Sequence, residues 1–315
     1  MFGQSRPHLD RVLEVVVLLG MIAVLVGILL PPRRPQRRPD APGTQDEALA
    51  QYHSQGTIVP TPLPHRQAAL ARFMDEAVPA SDRLHFLGSL PAASLREATD
   101  DLRLVMKNRQ EPAAFRNAIA GKLGMSGTPG LAADLRAMLN DSTETPQWRG
   151  YCVQHLYGCY DRGEDDSIPE TLFGAAASDE SEVRNTAVWN LALMATLAGK
   201  RRLPDDQLAR LKTLVLAAIR DNGTDALTRT TGVQAADRLG LAEAMPDIRA
   251  IAADDNAPSG LRIPAIVALG KMGDTTDLPL LDRLARTGLG RLRTVAAAAR
   301  DRLAERTANG SAGTE

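Results

Sequence analysis

The chain has 315 residues, of which 44% are hydrophobic and only 3% are aromatic, and its formal net charge is −1. A net charge so close to zero argues against nucleic acid or an acidic substrate as the partner, because such partners attract proteins with a basic excess. A large apolar fraction with so few aromatic residues favours stacked helices over a β fold.

The N-terminal part has the pattern of a membrane anchor. After a tail at residues 1–11, the apolar run at residues 12–30 carries one charge, Glu14. As a helix this run would rise about 28 Å, close to the ~30 Å hydrocarbon core of a bilayer. No small-residue cleavage site follows it, so the sequence predicts a retained single-pass transmembrane helix rather than a signal peptide. Arginines are denser behind the run than before it, which favours a cytoplasmic position for the rest of the chain.

The same run also resembles the N-terminal helix of type IV prepilin-like proteins, which carry a glutamate five residues after their processing site. Glu14 takes the place of that glutamate, whereas Leu9 stands where the family has glycine. This resemblance implies an alternative function, a pilus-like or secretion-related subunit whose mature N-terminus would begin near Asp10.

Two segments separate the anchor from the repeats. Residues 31–64 hold eight of the twenty prolines and few large apolar residues, which predicts an extended, disordered linker. Residues 65–112 become helical in pattern, with Leu70 and Phe73 on one apolar face. We interpret them as a helical N-terminal cap or a degenerate repeat, because the end of a repeat array must cover an otherwise open apolar face.

Residues 113–306 repeat one pattern, in which an apolar residue precedes an arginine and small or apolar residues follow it by three, four and seven positions. These offsets share one helical face, so each copy predicts a helix with a buried stripe. Prolines open shorter apolar helices between the copies. The register stays open in the fourth copy, where either Arg229 or Gly232 takes the arginine position. The clearest copies are Phe115-Arg116, Trp148-Arg149, Val183-Arg184, Leu261-Arg262 and Leu292-Arg293.

This pattern resembles the HEAT repeat and the HEAT-like units of phycobilin lyases, in which an outer helix leads through an aspartate turn into an inner helix that begins Val-Arg. The resemblance implies an all-α fold, an α-solenoid of about five helix pairs, with aspartate–arginine ladders between neighbours. Asp179 departs from the family spacing, because it lies five rather than eight residues before its arginine. We predict a disordered tail at residues 307–315. The ladder residues that the resemblance implies are Asp141, Arg149, Arg184, Asp254 and Arg262.

One stretch concentrates the aromatic residues, since Trp148 and three of the four tyrosines lie within thirteen positions. The resemblance implies that arginine-bearing helices line a concave groove, and tyrosine and tryptophan are typical anchors of interfaces. The alternative is that these rings fill space in a poorly packed repeat, and Trp148 is predicted to lie in the core. The predicted partner-binding residues are Tyr151, His155, Tyr157 and Tyr160.

Signatures of chemistry are sparse. Cys152, His155 and Cys159 share one helical face but span about 10 Å, which is too wide for one zinc ion. The sequence contains no phosphate-binding loop, nucleophile elbow or His-Glu-x-x-His metal motif. We therefore predict no catalytic residue, cofactor or metal, and interpret the chain as a membrane-anchored, non-catalytic scaffold for a protein partner. The alternative is an enzyme or a cofactor-binding protein of the HEAT-like lyase type.

Overall fold

The computed structural model describes residues 70–75, 77–90, 92–197, 201–221 and 223–311. The chain divides into a unit Met1–Pro60 and a unit Thr61–Glu315, and every described residue belongs to the second. The tail 1–11, the transmembrane helix predicted at 12–30 and the linker predicted at 31–64 therefore lie outside the described residues. Within the described part, no helix is both long and apolar enough to cross a bilayer.

The described residues form helices and turns without a strand, which confirms the predicted all-α class. Residues 70–74 are helical, and 3₁₀ turns at Ala242–Ala244 and Thr275–Asp277 precede α11 and α13. The α-helices are α1 Ala80–Ser89, α2 Ala92–Glu97, α3 Thr99–Lys107, α4 Ala113–Met125, α5 Leu131–Asn140, α6 Pro146–Arg162, α7 Ile168–Ala175, α8 Ser181–Ala195, α9 Asp205–Arg220, α10 Ala226–Leu239, α11 Met245–Ala253, α12 Ser259–Met272, α13 Leu278–Thr287 and α14 Arg291–Ser311.

The helices lie in two layers. Helices α1, α4, α6, α8, α10, α12 and α14 pack on one another in succession and form the inner layer. Helices α3, α5, α7, α9, α11 and α13 each pack on the inner helix that follows and form the outer layer. One core of buried apolar side chains runs through both layers. Stacked helix pairs with a continuous core are the architecture of an α-solenoid, as predicted.

The connections inside the first five complete helix pairs have the same length. Five residues link the outer helix to its inner partner at 108–112, 141–145, 176–180, 221–225 and 254–258, whereas three residues, 288–290, link α13 to α14. The repeated arginine is the fourth residue of the inner helix from α4 to α12, which places Arg229 rather than Gly232 at that position in α10; in α14 the copy Leu292-Arg293 puts it third. Gly232 lies at a close helix crossing, where a Cβ atom would come within 2.9 Å of Ile219 Cγ1.

The structure adds detail at both ends of the repeats. Arg83 is the fourth residue of α1, so the repeat pattern begins inside the region 65–112, for which the sequence leaves open a helical cap or a degenerate repeat. At the other end, α14 continues to Ser311 and so includes the first five residues, 307–311, of the predicted disordered tail. The Thr307 hydroxyl donates to the Leu303 carbonyl at 3.0 Å, as a threonine inside a helix can.

Candidate functional site

The turn between an outer and an inner helix is closed by the side chain of its first residue. The Oδ1 atom of that aspartate or asparagine accepts a hydrogen bond from the backbone N–H two positions later. This Asx turn holds the backbone in an extended conformation and ends the outer helix. The bond measures 2.9 to 3.0 Å at Asp75, Asn108, Asp141, Asp221 and Asp254.

The repeated arginine ties each inner helix to the outer helix before it. Its Nε donates to the backbone carbonyl ten residues earlier, as Arg116 does to Met106 at 2.6 Å and Arg149 to Leu139 at 2.8 Å. That carbonyl belongs to the end of the outer helix, where it lacks an intrahelical partner. The same bond joins Arg83 to Phe73, Arg229 to Ile219 and Arg262 to Ala252.

The guanidinium groups then reach a carboxylate in the turn of the next helix pair. The closest N–O distances are 2.7 Å for Arg83–Glu111, 2.7 Å for Arg116–Glu144 and 2.5 Å for Arg149–Glu180. Each of these three arginines therefore connects two successive pairs, and a glutamate is the acidic partner in all three.

This ladder differs from the predicted aspartate–arginine pairs. Asp141 pairs with Arg109 instead of Arg149, and the hydrogen bonds from Thr143 hold the pKa of Asp141 below its ordinary value. Arg262 pairs with Asp255 of its own turn at 2.8 Å, while Asp254 closes that turn. Asp141 and Asp254 therefore close their own turns and do not pair with the arginine eight residues later.

Burial of the ladder falls between Arg116 and Arg184. The side chains of Arg116 and Glu144 are each 3% exposed, whereas those of Arg184 and Asp225 are 23% and 43% exposed. In the buried part, Arg116 Cζ lies 4.1 Å from the ring centroid of Trp148, a cation–π distance. Trp148 is fully buried, as predicted for the residue before an anchor arginine.

The pattern fails at the pair α7/α8. Ala176 occupies the first turn position, offers no side-chain acceptor and stays helical at φ −67° and ψ −15°. As a result, the carbonyl of Gly174 accepts from the Ala177 N–H at 3.1 Å. This is the carbonyl that Arg184 would use, and Arg184 donates instead to the Ser178 carbonyl at 2.8 Å and to Thr228 Oγ1 at 3.1 Å.

The predicted aromatic cluster is divided by burial. Tyr151 and Tyr157 are half-buried, and the Tyr151 ring lies 6.4 Å from that of Trp148. Tyr160 is only 5% exposed, and its burial raises the pKa of the phenol. The guanidinium of Arg201 covers its ring at 5.9 Å. Only the first two tyrosines keep part of their surface in solvent, so Tyr160 serves the core.

His155 links two inner helices. Its Nε2 lies 2.7 Å from Asn117 Oδ1, across the contact between α6 and α4. Burial lowers the pKa of His155 to about 4, which leaves the ring neutral at pH 7, with Nε2–H donating to the amide oxygen. The predicted partner-binding histidine therefore has a structural hydrogen bond.

A row of half-buried residues on the inner helices is absent from our sequence-based predictions. It occupies the ninth residue of α4, α6, α8, α10 and α12, five after the arginine, and its side chains are small, polar, aromatic or aliphatic. Trp189 is the aromatic member, and Arg238 Cζ lies 6.0 Å from its ring centroid. Counting from each arginine would have located the row. We call it, together with Tyr151, the inner face; its members are Gly121, Gln154, Trp189, Gln234 and Val267.

The two cysteines behave as core residues. Cys152 and Cys159 are buried and free, and burial raises the pKa of both thiols, that of Cys159 to about 12. A thiol with such a pKa stays protonated at pH 7 and reacts slowly. Among the described residues, no group of three or more histidine, cysteine or acidic side chains could hold a metal ion.

Comparison of the sequence with protein-family models finds no match, and none of the curated proteins matches either. Among solved structures, human deoxyhypusine hydroxylase in complex with glycerol is similar at 16% identity and a TM-score of 0.31, over 77% of this chain and 96% of that one. A designed armadillo repeat protein is similar at 17% identity and a TM-score of 0.38, over 70% of this chain and 98% of that one. Likenesses at this level concern helical repeats and carry no argument about activity or partner.

Proposed function

We propose that this protein is a non-catalytic binding scaffold that holds a protein partner on its inner face. The observation that carries the proposal is the row of partly exposed residues along successive inner helices, with Tyr151 and Trp189 as its aromatic members. Stacked helix pairs present extended surfaces that suit protein partners. Tyrosine and tryptophan supply much of the binding energy where such surfaces meet a partner.

The charged groups beside this face support binding rather than catalysis. His155 is neutral at pH 7 and bonded to Asn117, while Asp237 pairs with Lys271 at 2.5 Å. A general acid or base needs a pKa near the working pH and access to substrate. Groups that are already paired in this way serve the contact between helices.

The scaffold is proposed to work near a membrane. This part rests on the sequence of residues 12–30 and on the arginines that follow them. A proline-rich linker at residues 31–64 would let the helical repeats reach at most ~100 Å from the cytoplasmic surface of the bilayer. The partner would then be a protein of the same membrane or of the adjacent cytoplasm.

Site-specific photocrosslinking in cells tests the binding face. A photoreactive amino acid replaces Gln154 on the inner face or, as the matched control, the exposed Ala133 on the outer helix α5. We expect a discrete protein adduct from position 154 and none from 133, and loss of that adduct when Tyr151→Ala and Trp189→Ala are added. Adducts of equal yield from both positions, or no adduct at 154, would contradict the proposal.

Carbonate extraction of cell membranes tests the anchor separately. We expect the full chain to stay in the membrane pellet and a chain lacking residues 1–30 to move to the soluble fraction, because only the apolar run would resist extraction. A soluble full chain would remove the membrane part of the proposal and leave the binding face untouched.

A further inference from the structure

The irregular pair α7/α8 leaves a cleft against the pair α9/α10. Its volume is about 420 Å³, and it lies between the α7–α8 turn, the end of α9 and the start of α10. Apolar side chains, among them Val188 and Leu214, form part of its lining. This volume is within the range of pockets that bury a small ligand or a single large side chain.

A buried donor without a partner lines this cleft. Asn185 is 6% exposed, and its Nδ2 is buried without a hydrogen-bond partner among the described residues. Asn117 takes the same position in α4, the fifth residue, and is bonded to His155, the tenth residue of α6. The tenth residue of α10 is Ala235, which offers Asn185 nothing. A buried amide donor is stable only when an acceptor reaches it, and a bound carbonyl would supply one.

The charges around the cleft select a cation. Asp179 and Asp221 are exposed at its lining, and Asp225 lies beside it at 3.3 Å from the Arg184 guanidinium. Arg184 is already engaged by backbone carbonyls of the turn, by Thr228 and by Asp225. Around the cleft, three carboxylates therefore outnumber the one guanidinium, that of Arg184, which is already hydrogen-bonded. The excess negative charge attracts cations and repels anions.

We propose that this cleft binds a basic side chain of a polypeptide segment together with its main-chain carbonyl. The carbonyl accepts from Asn185 Nδ2, the aliphatic stem packs on Val188 and Leu214, and the cationic group lies toward Asp179 and Asp221. Long basic side chains have this division between an apolar stem and a charged end. The site is separate from the inner face, so either proposal can fail without the other.

Fluorescence anisotropy with short labelled peptides tests the site on the full chain in detergent. The probe is fluorescein-Gly-Gly-Arg-Gly-amide, compared with the same peptide carrying citrulline or glutamate in place of arginine. We expect the arginine peptide to bind with a Kd below about 1 mM. The neutral citrulline peptide should bind at least about tenfold more weakly, and the glutamate peptide should not bind.

Variants separate the two halves of the site. We expect Asn185→Ala and Asp221→Asn each to weaken binding about tenfold, and Asp221→Asn also to reduce its salt dependence. Glu305→Gln, on the last helix, makes the same change in charge and should leave binding unchanged. Circular dichroism confirms that each variant stays helical. Equal binding of the three peptides, indifference to Asn185→Ala and Asp221→Asn, or no binding up to about 10 mM would each overturn the proposal.

Discussion

The dipeptide Arg-Asn occurs at the fourth and fifth residues of two inner helices, with opposite outcomes. In α4, Arg116 is bonded to the Met106 carbonyl and to Glu144, and Asn117 is bonded to His155. In α8, Arg184 donates to the Ser178 carbonyl instead of the corresponding Gly174 carbonyl, and the buried Asn185 Nδ2 has no hydrogen-bond partner among the described residues. Identical residues at identical helix positions thus build a closed interface in one place and an open cleft in the other.

The difference comes from residues distant along the chain. Eight positions before the arginine, Asn108 closes the regular turn, whereas Ala176 leaves its turn helical. Across the interface, His155 is the hydrogen-bond partner of Asn117. The corresponding residue opposite Asn185 is Ala235, whose methyl group offers no hydrogen bond. Two side chains on neighbouring elements therefore decide whether the same dipeptide stabilises the fold or lines a site.

The largest expected difference in stability is between variants of Arg116 and Arg184. Arg116→Ala leaves the buried Glu144 with only the more distant Arg109, whose Nε lies 3.6 Å away, and should lower the free energy of unfolding by about 3 kcal/mol, the lower end for a broken buried pair. Arg184→Ala removes a partly exposed pair and should cost no more than about 1 kcal/mol. Urea unfolding followed by circular dichroism measures both.

A double variant controls for the loss of packing. Arg116→Met with Glu144→Leu removes both charges and should recover most of the stability lost in Arg116→Ala, because no buried charge is left alone. If Arg116→Ala and Arg184→Ala lowered the free energy of unfolding equally, the buried and the exposed ion pair would contribute equally to stability, which would contradict this prediction.

The closed interface should also carry a pH dependence from His155, which has no counterpart in the open one because Ala235 takes the corresponding position there. The pKa of His155 is about 4 in the folded chain and 6.5 in an ordinary histidine, so the unfolded chain binds more protons between these values. Stability from this group is complete above pH 6.5 and is lost as pH falls toward 4, by at most about 3 kcal/mol. Unfolding curves at intervals across that range measure the slope.

His155→Gln isolates this slope, because glutamine can still donate to Asn117 and does not titrate. We expect the variant to lose stability less steeply than the parent chain between pH 6.5 and pH 4. Parallel slopes for the two chains would show that carboxylates elsewhere account for the pH dependence.

Exchanging the turn residues should interconvert the two regions. Asn108→Ala removes the acceptor of an Asx turn and should cost about 1 kcal/mol, as the loss of a capping side chain does. Ala176→Asp supplies that acceptor, so we expect Arg184 Nε to move onto the Gly174 carbonyl. A crystal structure of the Ala176→Asp variant checks the movement, and an unchanged Arg184 there would exclude the turn residue as the cause.

The smallest contrast concerns the two asparagines. Asn117→Ala breaks a hydrogen bond and should lower stability by about 1 kcal/mol, whereas Asn185→Ala deletes a donor that has no partner and should change stability by less than about 0.5 kcal/mol. Thermal unfolding of the two variants under one buffer is the measurement. A larger loss for Asn185→Ala than for Asn117→Ala would mean that the Asn185 amide is satisfied in solution.

Much of the architecture was predictable from the chain alone. The offsets of three, four and seven after each arginine defined the buried face, and Ile119, Cys152 and Ala187 are indeed fully buried. The same counting missed Arg83, because Asp82 precedes it where the clearest copies have an apolar residue, although Phe86, Leu87 and Leu90 occupy the offsets of three, four and seven. It also left open whether Arg229 or Gly232 takes the arginine position in α10. The five-residue turn before this helix places Arg229 there.

The candidate site was far less predictable. Tyr160 belongs to a suggestive cluster in sequence, yet Arg201 from a later loop covers its ring. Asp141 and Asp254 have the family spacing to an arginine, yet each closes its own turn while glutamates of other turns pair with the preceding arginines. An arginine and its acidic partner lie about thirty residues apart along the chain. The arginine side chain is also long enough to reach any of several acceptors, so sequence spacing does not identify the one it binds.

The sequence by itself determined the repeated helices, their buried faces and the positions of most of the arginines, because these depend on residues within one or two helical turns of each other. Tertiary structure alone decided which carboxylate each arginine meets and why Asn185 has no partner. Those outcomes depend on helices that come together only when the helix pairs stack. They also depend on the Gly174 carbonyl, which accepts from the Ala177 N–H because Ala176 keeps the turn helical, and so does not bind Arg184.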